Sequence, residues 1–281
     1  MKKLIFGVVA CLMMIPACTT ENPQTPETPE EEYNRELKYT YTKAEDGVEM
    51  EVYLPTEETN IKVAVIACPG GSYSSHASHE GAVWAPYFNE LGVAFAVLKY
   101  TLPAGDPSKP IGDMETALTI LNEMADKWLI DRNKIGVMGF SAGGHLACFA
   151  ATASEYSSEI RPDFQILVYP VTTMSTGTHA GSRTNFLGAD ASNEEMMLYS
   201  NELWVSSDTP KAFITYAKSE TVVPPASNGK AFYNAMIKAG ARAELLELVG
   251  TKHGWHHGNA EHETAYLQPM KARLTPWLQK L

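Results

Sequence analysis

From about Leu37 onward, short strand-like segments alternate with longer helix-like ones. The first two strand-like segments alternate apolar and polar residues and are separated by AEDG, which predicts an antiparallel hairpin. Most later ones are nearly continuous apolar runs, which is typical of parallel strands covered on both faces. The predicted strands span residues 37–43, 48–54, 62–67, 93–99, 134–140, 164–170, 211–217 and 243–249.

Segments with a helical spacing of apolar residues lie between the predicted strands. They span residues 80–91, 110–128, a stretch that begins at Ala142, 227–240, and a C-terminal stretch from about Glu261. This alternation predicts one α/β domain, residues 37–281, with a mostly parallel sheet of about eight strands and helices on both faces. Functional sites in such sheets lie at the carboxyl ends of the strands.

The first 18 residues, MKKLIFGVVACLMMIPAC, combine a basic start with a short apolar run. The run is too short to cross a bilayer, which predicts a secretory signal. The ending IPAC resembles a bacterial lipobox and predicts lipidation of Cys18; the alternative is an ordinary signal peptide with an incidental cysteine. Residues 19–36 are rich in Pro, Thr and Glu, which predicts a flexible tether. The expected product is an exported lipoprotein, anchored to a membrane of the cell envelope.

Composition narrows the classes of partner. The net charge is −11 and no basic patch stands out, which argues against nucleic acid as a partner. No Cys and His residues have the spacing of a zinc site, so no metal is predicted. Cys68 and Cys148 fall in segments predicted to be buried. We therefore expect two free thiols, although export would permit a disulfide.

The segment KIGVMGFSAGGHLA, residues 134–147, places a serine at the turn between a predicted strand and a predicted helix. Gly139, Ser141 and Gly143 form the pattern G-x-S-x-G, which is typical of a nucleophile elbow. The alternative is a tight turn with a capping serine.

A nucleophilic serine requires a base, because its hydroxyl is hardly ionised at neutral pH. His253, in VGTKHGWHHG, follows directly after the last predicted strand and is the predicted base. His256 and His257 are close enough in sequence to be alternatives.

The segment ACPGGSYSSHASHEGAVWAPYFNELGVAFAVLKYTLP, together with GFSAGGHLA and KHGW, resembles the α/β-hydrolase superfamily. More narrowly, it resembles the carbohydrate-esterase-like branch that includes acetyl xylan esterases, from about residue 48 to the C-terminus. The resemblance implies that Ser141 is the nucleophile and His253 the general base, with no cofactor. It also implies an oxyanion hole with one backbone N–H from Gly71 or Ser72 and another from Ala142.

The acid of the expected triad departs from the pattern of the superfamily. Relatives carry an Asp in a stretch like DDxxVPP, whereas this chain has KSETVVPP with Glu220 at the matching place. A glutamate can accept the second ring N–H of the base and stabilise the imidazolium. The alternative is a surface glutamate in a site that has lost its acid. The order Ser141, Glu220, His253 is that of the hydrolases.

The predicted substrate is a small ester on an oligosaccharide or polysaccharide. Segment 171–210 is mostly polar and lacks an apolar lid, which favours an acetyl group. Four side chains are candidates for substrate contact: Tyr73, Trp255, His179 and Arg183. The resulting hypothesis is a serine esterase for acetylated carbohydrates; the alternatives are a dipeptidyl-peptidase-like hydrolase and a catalytically silent carbohydrate-binding lipoprotein.

Overall fold

The computed structural model describes residues 38–43, 48–153 and 160–281, and its centre is an eight-stranded sheet. The strands lie in the order β1-β2-β4-β3-β5-β6-β7-β8. They are β1 Lys38–Lys43, β2 Val48–Tyr53, β3 Val63–Cys68, β4 Val93–Lys99, β5 Ile135–Phe140, β6 Phe164–Val168, β7 Lys211–Ala217 and β8 Ala243–Leu248. The predicted signal peptide, Cys18 and the predicted tether lie outside the described residues.

Strand pairing confirms the predicted arrangement. β1 pairs with β2 and β2 with β4 in antiparallel fashion, and the remaining pairs are parallel. Every residue of β3 and β5 is buried, as their apolar sequences predict for central strands. β8 lies at the sheet edge and is mostly half-buried or exposed.

Helices lie between the strands in the chain and pack against the sheet. They are α1 Ala85–Glu90, α2 Ser108–Glu123, α3 Ser141–Thr152, α4 Ala180–Leu187, α5 Asn193–Leu198, α6 Gly229–Ala239, α7 Ala260–His262 and α8 Gln268–Leu278. A π-helical segment, Glu263–Leu267, joins α7 to α8, and short 3₁₀ turns span Ser78–Glu80, Ala82–Trp84 and Asn201–Leu203. Among the described residues, no helix combines the length and apolar character needed to cross a membrane.

Two predicted features differ in detail from the structure. The helix predicted for residues 80–91 is broken into two 3₁₀ turns and α1, because the backbone at Gly81 is not helical. Segment 171–210, for which no elements were predicted, contains α4 and α5. The start of α5 has a local signal: Ser192 and Glu195 form a capping box, in which each side chain bonds the other residue's backbone N–H.

The two cysteines of the folded region are buried and free, as predicted. Cys68 ends β3 and Cys148 lies within α3. Burial raises the pKa of both thiols well above the ordinary value, which keeps them in the neutral form.

Candidate active site

Ser141 lies at the turn from β5 into α3 with a left-handed backbone, φ 51°. The flanking glycines allow this turn to pack closely. A Cβ on Gly139 would lie 2.2 Å from the carbonyl oxygen of Gly143, and one on Gly143 would lie 2.0 Å from that of Cys68. Any larger residue would therefore displace backbone. The G-x-S-x-G pattern is thus a packing requirement of the elbow, and no side-chain hydrogen bond caps the start of α3.

His253 and Glu220 meet Ser141 although they are distant in the chain. His253 lies in the loop after β8, and its Nε2 is 2.9 Å from the Oγ of Ser141. Its Nδ1 is 2.5 Å from Oε2 of Glu220, which lies in the loop after β7. Glu220 is only 4% exposed, so it is not a surface glutamate. The structure brings together the three side chains that the sequence singled out.

The contacts determine which ring nitrogen carries the proton. A carboxylate can only accept, so Nδ1–H of His253 donates to Glu220. Nε2 is then free to accept the hydroxyl proton of Ser141. Burial raises the pKa of the Glu220 carboxyl, and the hydrogen bond from His253 opposes part of that rise.

The two alternative histidines have other partners. Nδ1 of His256 is 3.2 Å from the carbonyl oxygen of His257. Nδ1 of His257 is 2.9 Å from Oε1 of Glu263. Neither of these ring nitrogens contacts Ser141.

The loop after β3 lies against the elbow, and two of its carbonyls accept hydrogen bonds from within the same loop. A Cβ on Gly70 would lie 2.9 Å from the Cβ of Ser141. The carbonyl of Gly70 accepts from the N–H of Ala77 at 3.0 Å, and that of Gly71 accepts from the N–H of Ser74 at 3.0 Å. In a planar trans peptide the N–H points opposite to the C=O. The N–H groups of Gly71 and Ser72 therefore point away from the N–H groups of Ala77 and Ser74 that these carbonyls bind.

Ser72, one of the expected donors, adopts a left-handed backbone with φ 58°. Such a conformation costs an L-residue about 1–2 kcal/mol. The side-chain amide of Asn185, on α4, donates to the carbonyl of Ser72 at 2.8 Å and holds it in place. The expected donors, the N–H groups of Gly71, Ser72 and Ala142, have no acceptor among the described residues. Their role in an oxyanion hole stays a prediction.

Two of the predicted substrate contacts are wrong. Tyr73 and Trp255 are each 1% exposed and cannot offer a ring face to a sugar. Trp255 stacks on Tyr266 at 5.0 Å between ring centroids and supports the loop of His253 from beneath. Sequence patterning could not separate a pocket wall from core packing, because aromatic residues serve both.

The other two predicted substrate contacts stay half-buried. His179 precedes α4, and Nδ1 accepts the N–H of Ser182 at 3.2 Å. Burial lowers the pKa of His179, and the His253 ring lowers it further. Arg183 lies one turn further along, and its guanidinium has no hydrogen bond or ion pair with any described residue.

His145, on the elbow helix, was not singled out in the sequence. Its Nε2 is 2.8 Å from the carbonyl oxygen of Tyr199, so Nε2 carries the proton. Its Nδ1 therefore accepts the hydroxyl of Tyr73 at 2.9 Å. The neutral ring thus ties the loop after β3 to α3. Burial lowers the pKa of His145 to about 4.

We expect His145 to make stability depend on pH. The unfolded chain, with a pKa near 6.5, binds this proton before the folded chain does. Stability is therefore lost as pH falls through that range towards 4, by up to about 3 kcal/mol. His145→Gln should be less stable than wild type at about pH 7.5, yet lose roughly 2–3 kcal/mol less between there and about pH 4.5. Urea unfolding at both pH values tests this, and equal losses in the two proteins would contradict it.

The described residues contain no group of three His, Cys, Asp or Glu side chains placed to hold a metal ion. The geometry that the site does have is a serine, an imidazole and a buried carboxylate in hydrogen-bonded sequence. That arrangement suits acyl transfer.

Comparison with known proteins identifies the family. The BD-FAE family matches residues 50–236, which is most of the described chain. The chain belongs to the BD-FAE family. This membership confirms an α/β-hydrolase fold of the esterase type.

Curated relatives match most of this BD-FAE chain in sequence. An acetylxylan esterase from Xylanibacter ruminicola is 37% identical over 227 residues, covering 79% of this chain and 46% of that protein. An endo-1,4-beta-xylanase B from Butyrivibrio fibrisolvens is 34% identical over 220 residues, covering 74% of this chain and 34% of that protein. The chain therefore spans less than half the length of these curated relatives.

A solved structure is similar over nearly the whole fold. The acetyl ester-xyloside bifunctional hydrolase from Caldicellulosiruptor lactoaceticus superposes with a TM-score of 0.74 at 28% identity, covering 83% of this chain and 88% of that chain. These similarities confirm the predicted fold class and the resemblance to acetyl xylan esterases.

Proposed function

We propose that this protein is a serine esterase that removes acetyl groups from carbohydrates through an acyl-enzyme. The observation that carries the proposal is the unbroken chain of hydrogen bonds from Ser141 through His253 to the buried Glu220. Each member has the chemistry its place requires: a hydroxyl at a strained elbow, an imidazole in the accepting tautomer, and a carboxylate beneath it.

The reaction proceeds in two acyl transfers. Oγ of Ser141 attacks the ester carbonyl, and its proton passes to Nε2 of His253. The backbone N–H groups of Gly71 or Ser72 and of Ala142 hold the oxyanion. The bond to the sugar oxygen then breaks, and that oxygen takes the proton from His253.

Water completes the cycle by the same route. His253 accepts a proton from the water as the oxygen attacks the acyl carbon, and returns it to Oγ of Ser141 as acetate leaves. Glu220 stays ionised throughout and stabilises the imidazolium that forms in each step.

The choice of substrate class rests on two observations. The relatives named above are an acetylxylan esterase, a xylanase and an acetyl ester-xyloside hydrolase, so acetylated plant polysaccharide is the favoured substrate. His179 and Arg183 lie on the segment before and within α4, whose Asn185 contacts the loop after β3, and are the polar groups we assign to the carbohydrate.

Hydrolysis of p-nitrophenyl esters tests the reaction and the size of the acyl group. We expect kcat/KM to be at least about 10-fold higher for acetate than for octanoate. Acetate release from acetylated xylan should be saturable. Hydrolysis of an aminoacyl p-nitroanilide in place of the esters would favour a dipeptidyl-peptidase-like hydrolase. Binding of xylan without any hydrolysis would favour a catalytically silent carbohydrate-binding lipoprotein.

We also propose that the protein is an exported lipoprotein held in a membrane of the cell envelope through Cys18. The lipobox-like ending IPAC and the Pro- and Glu-rich segment after it support this. Cys18→Ala should move the protein from the membrane fraction to the soluble fraction. Cys11→Ala, a change within the apolar run that precedes Cys18, is the matched control and should leave the protein in the membrane fraction. Equal fractionation of both variants would contradict lipidation.

A further inference from the structure

Glu80 is a buried carboxylate beside the site that the proposed mechanism does not use. It ends a 3₁₀ turn after the Gly70 loop and is 2% exposed. Its Oε2 accepts the N–H of Gly70 at 2.7 Å, and its Oε1 accepts the hydroxyl of Tyr169 at 2.8 Å. Nε2 of His79 lies 3.5 Å from Oε1. A buried charge needs such partners. Through them this carboxylate joins Gly70 to Tyr169, which lie about 100 residues apart in the chain.

One end of this link orients the loop that carries the expected oxyanion donors. The peptide between Pro69 and Gly70 donates its N–H to Glu80, and its C=O accepts the hydroxyl of Tyr100 at 2.7 Å. Because a trans peptide is planar, bonds at both ends determine the orientation of its plane. The donor peptides of Gly71 and Ser72 follow directly. Glu80 therefore helps to set the orientation of the peptide that leads into the donor loop.

Glu80 is also close to the nucleophile itself. A Cβ on Gly70 would lie 2.7 Å from Oε2 of Glu80 and 2.9 Å from the Cβ of Ser141. Only a glycine separates the carboxylate from the serine. A shift of the Glu80 side chain would thus move the donor loop relative to Oγ of Ser141.

The other end of the link reaches the imidazole. Tyr169 follows β6 with a left-handed backbone, φ 37°, and its ring centroid lies 4.7 Å from that of His253. Burial raises the pKa of Tyr169, and the Glu80 carboxylate raises it further, so its hydroxyl stays protonated and donates. The hydrogen bond to Glu80 holds this ring against the base.

We propose that Glu80 is a positioning residue, which holds the donor loop and the ring beneath His253 in a single arrangement relative to Ser141. This inference rests on the proposed esterase function and adds a residue that acts through others, without contacting the substrate. Misplacing a reacting group by about 1 Å costs on the order of 100-fold in rate. The effect should therefore appear in the chemical step.

The variant Glu80→Gln tests the proposal, because it keeps the side-chain volume and replaces one acceptor oxygen with an N–H₂ donor. We expect kcat for p-nitrophenyl acetate to fall about 10- to 100-fold with KM changed less than about threefold. The affinity for phenylboronic acid, whose tetrahedral adduct occupies the oxyanion donors, should fall by a similar factor. A purely structural role would lower stability and leave both quantities unchanged.

Asp163→Asn is the matched control. Asp163 is a partly buried carboxylate that likewise accepts a backbone N–H, that of Ile135 at 2.9 Å, but at the opposite end of β5 from Ser141. Its replacement should leave kcat and the boronate affinity within about twofold of wild type.

Tyr169→Phe keeps the inference falsifiable if Glu80→Gln does not fold. It removes one of the two links, and we expect kcat to fall about 3- to 10-fold at constant KM, with a non-additive effect in the double variant. Wild-type kcat and boronate affinity in Glu80→Gln, or in Tyr169→Phe where the first does not fold, would overturn the role of Glu80 and leave the esterase proposal intact. A wild-type protein without ester hydrolysis would overturn both.

Discussion

Ser141→Ala is expected to lower kcat for ester hydrolysis by about 10⁵-fold or more. The substitution removes the proposed nucleophilic atom and should leave the loops intact, because among the described residues the serine hydroxyl bonds only to His253. KM should change little, since the ground-state contacts of the substrate remain. The measurement is p-nitrophenyl acetate hydrolysis at saturating substrate.

A serine near the amino ends of the strands, opposite the site, provides the control. Ser207 lies before β7, on the side where the strand begins, and is exposed. Ser207→Ala should keep wild-type kcat. Mass spectrometry after treatment with a fluorophosphonate should place the adduct on Ser141 alone. Retention of more than about 1% of the activity in Ser141→Ala would assign the nucleophile to another residue.

Glu220→Gln should lower kcat by about 10³- to 10⁴-fold. The glutamine amide can donate to Nδ1 of His253, which turns the ring into the tautomer with its proton on Nε2. That nitrogen can then no longer accept the proton of Ser141. The substitution also removes the negative charge that stabilises the imidazolium. Steady-state kinetics on p-nitrophenyl acetate measures the loss.

Glu220→Asp separates the effect of the charge from the effect of side-chain length at the same position. The aspartate keeps the charge but withdraws it by one methylene, which opens the 2.5 Å contact to His253. We expect an intermediate loss of about 10- to 100-fold. Glu195→Gln, in the exposed capping box of α5, is the control and should keep wild-type kcat. Equal activity of Glu220→Gln and wild type would show that another group serves as the acid.

The eight strands could be predicted because each depends on its own local pattern. Apolar runs in β3 and β5 match strands buried on both faces, and the alternating pattern of β2 matches a strand with half-buried positions. The elbow was equally local, since the glycines around Ser141 and the strand-to-helix change lie within 14 residues. The family pattern then placed His253 and Glu220 at the ends of two later strands.

The supporting residues of the site could not be predicted in this way. Glu80 matters because it meets Gly70 and Tyr169, and His145 because it meets Tyr73 and Tyr199. Nothing in the sequence around each residue records such partners. The same reason explains the errors at Tyr73 and Trp255, where an aromatic residue expected to line the site proved to be buried.

The sequence by itself determined the order of the strands and of most helices, and the serine elbow, because these depend on neighbours in the chain. The tertiary structure alone decided that the glutamate at position 220 is buried within reach of His253, and which aromatic rings lie under the site. It also decided that one carboxylate, Glu80, joins the donor loop to the ring beneath the base. Distances between residues far apart in sequence follow from how the chain packs, and packing is a property of the whole fold.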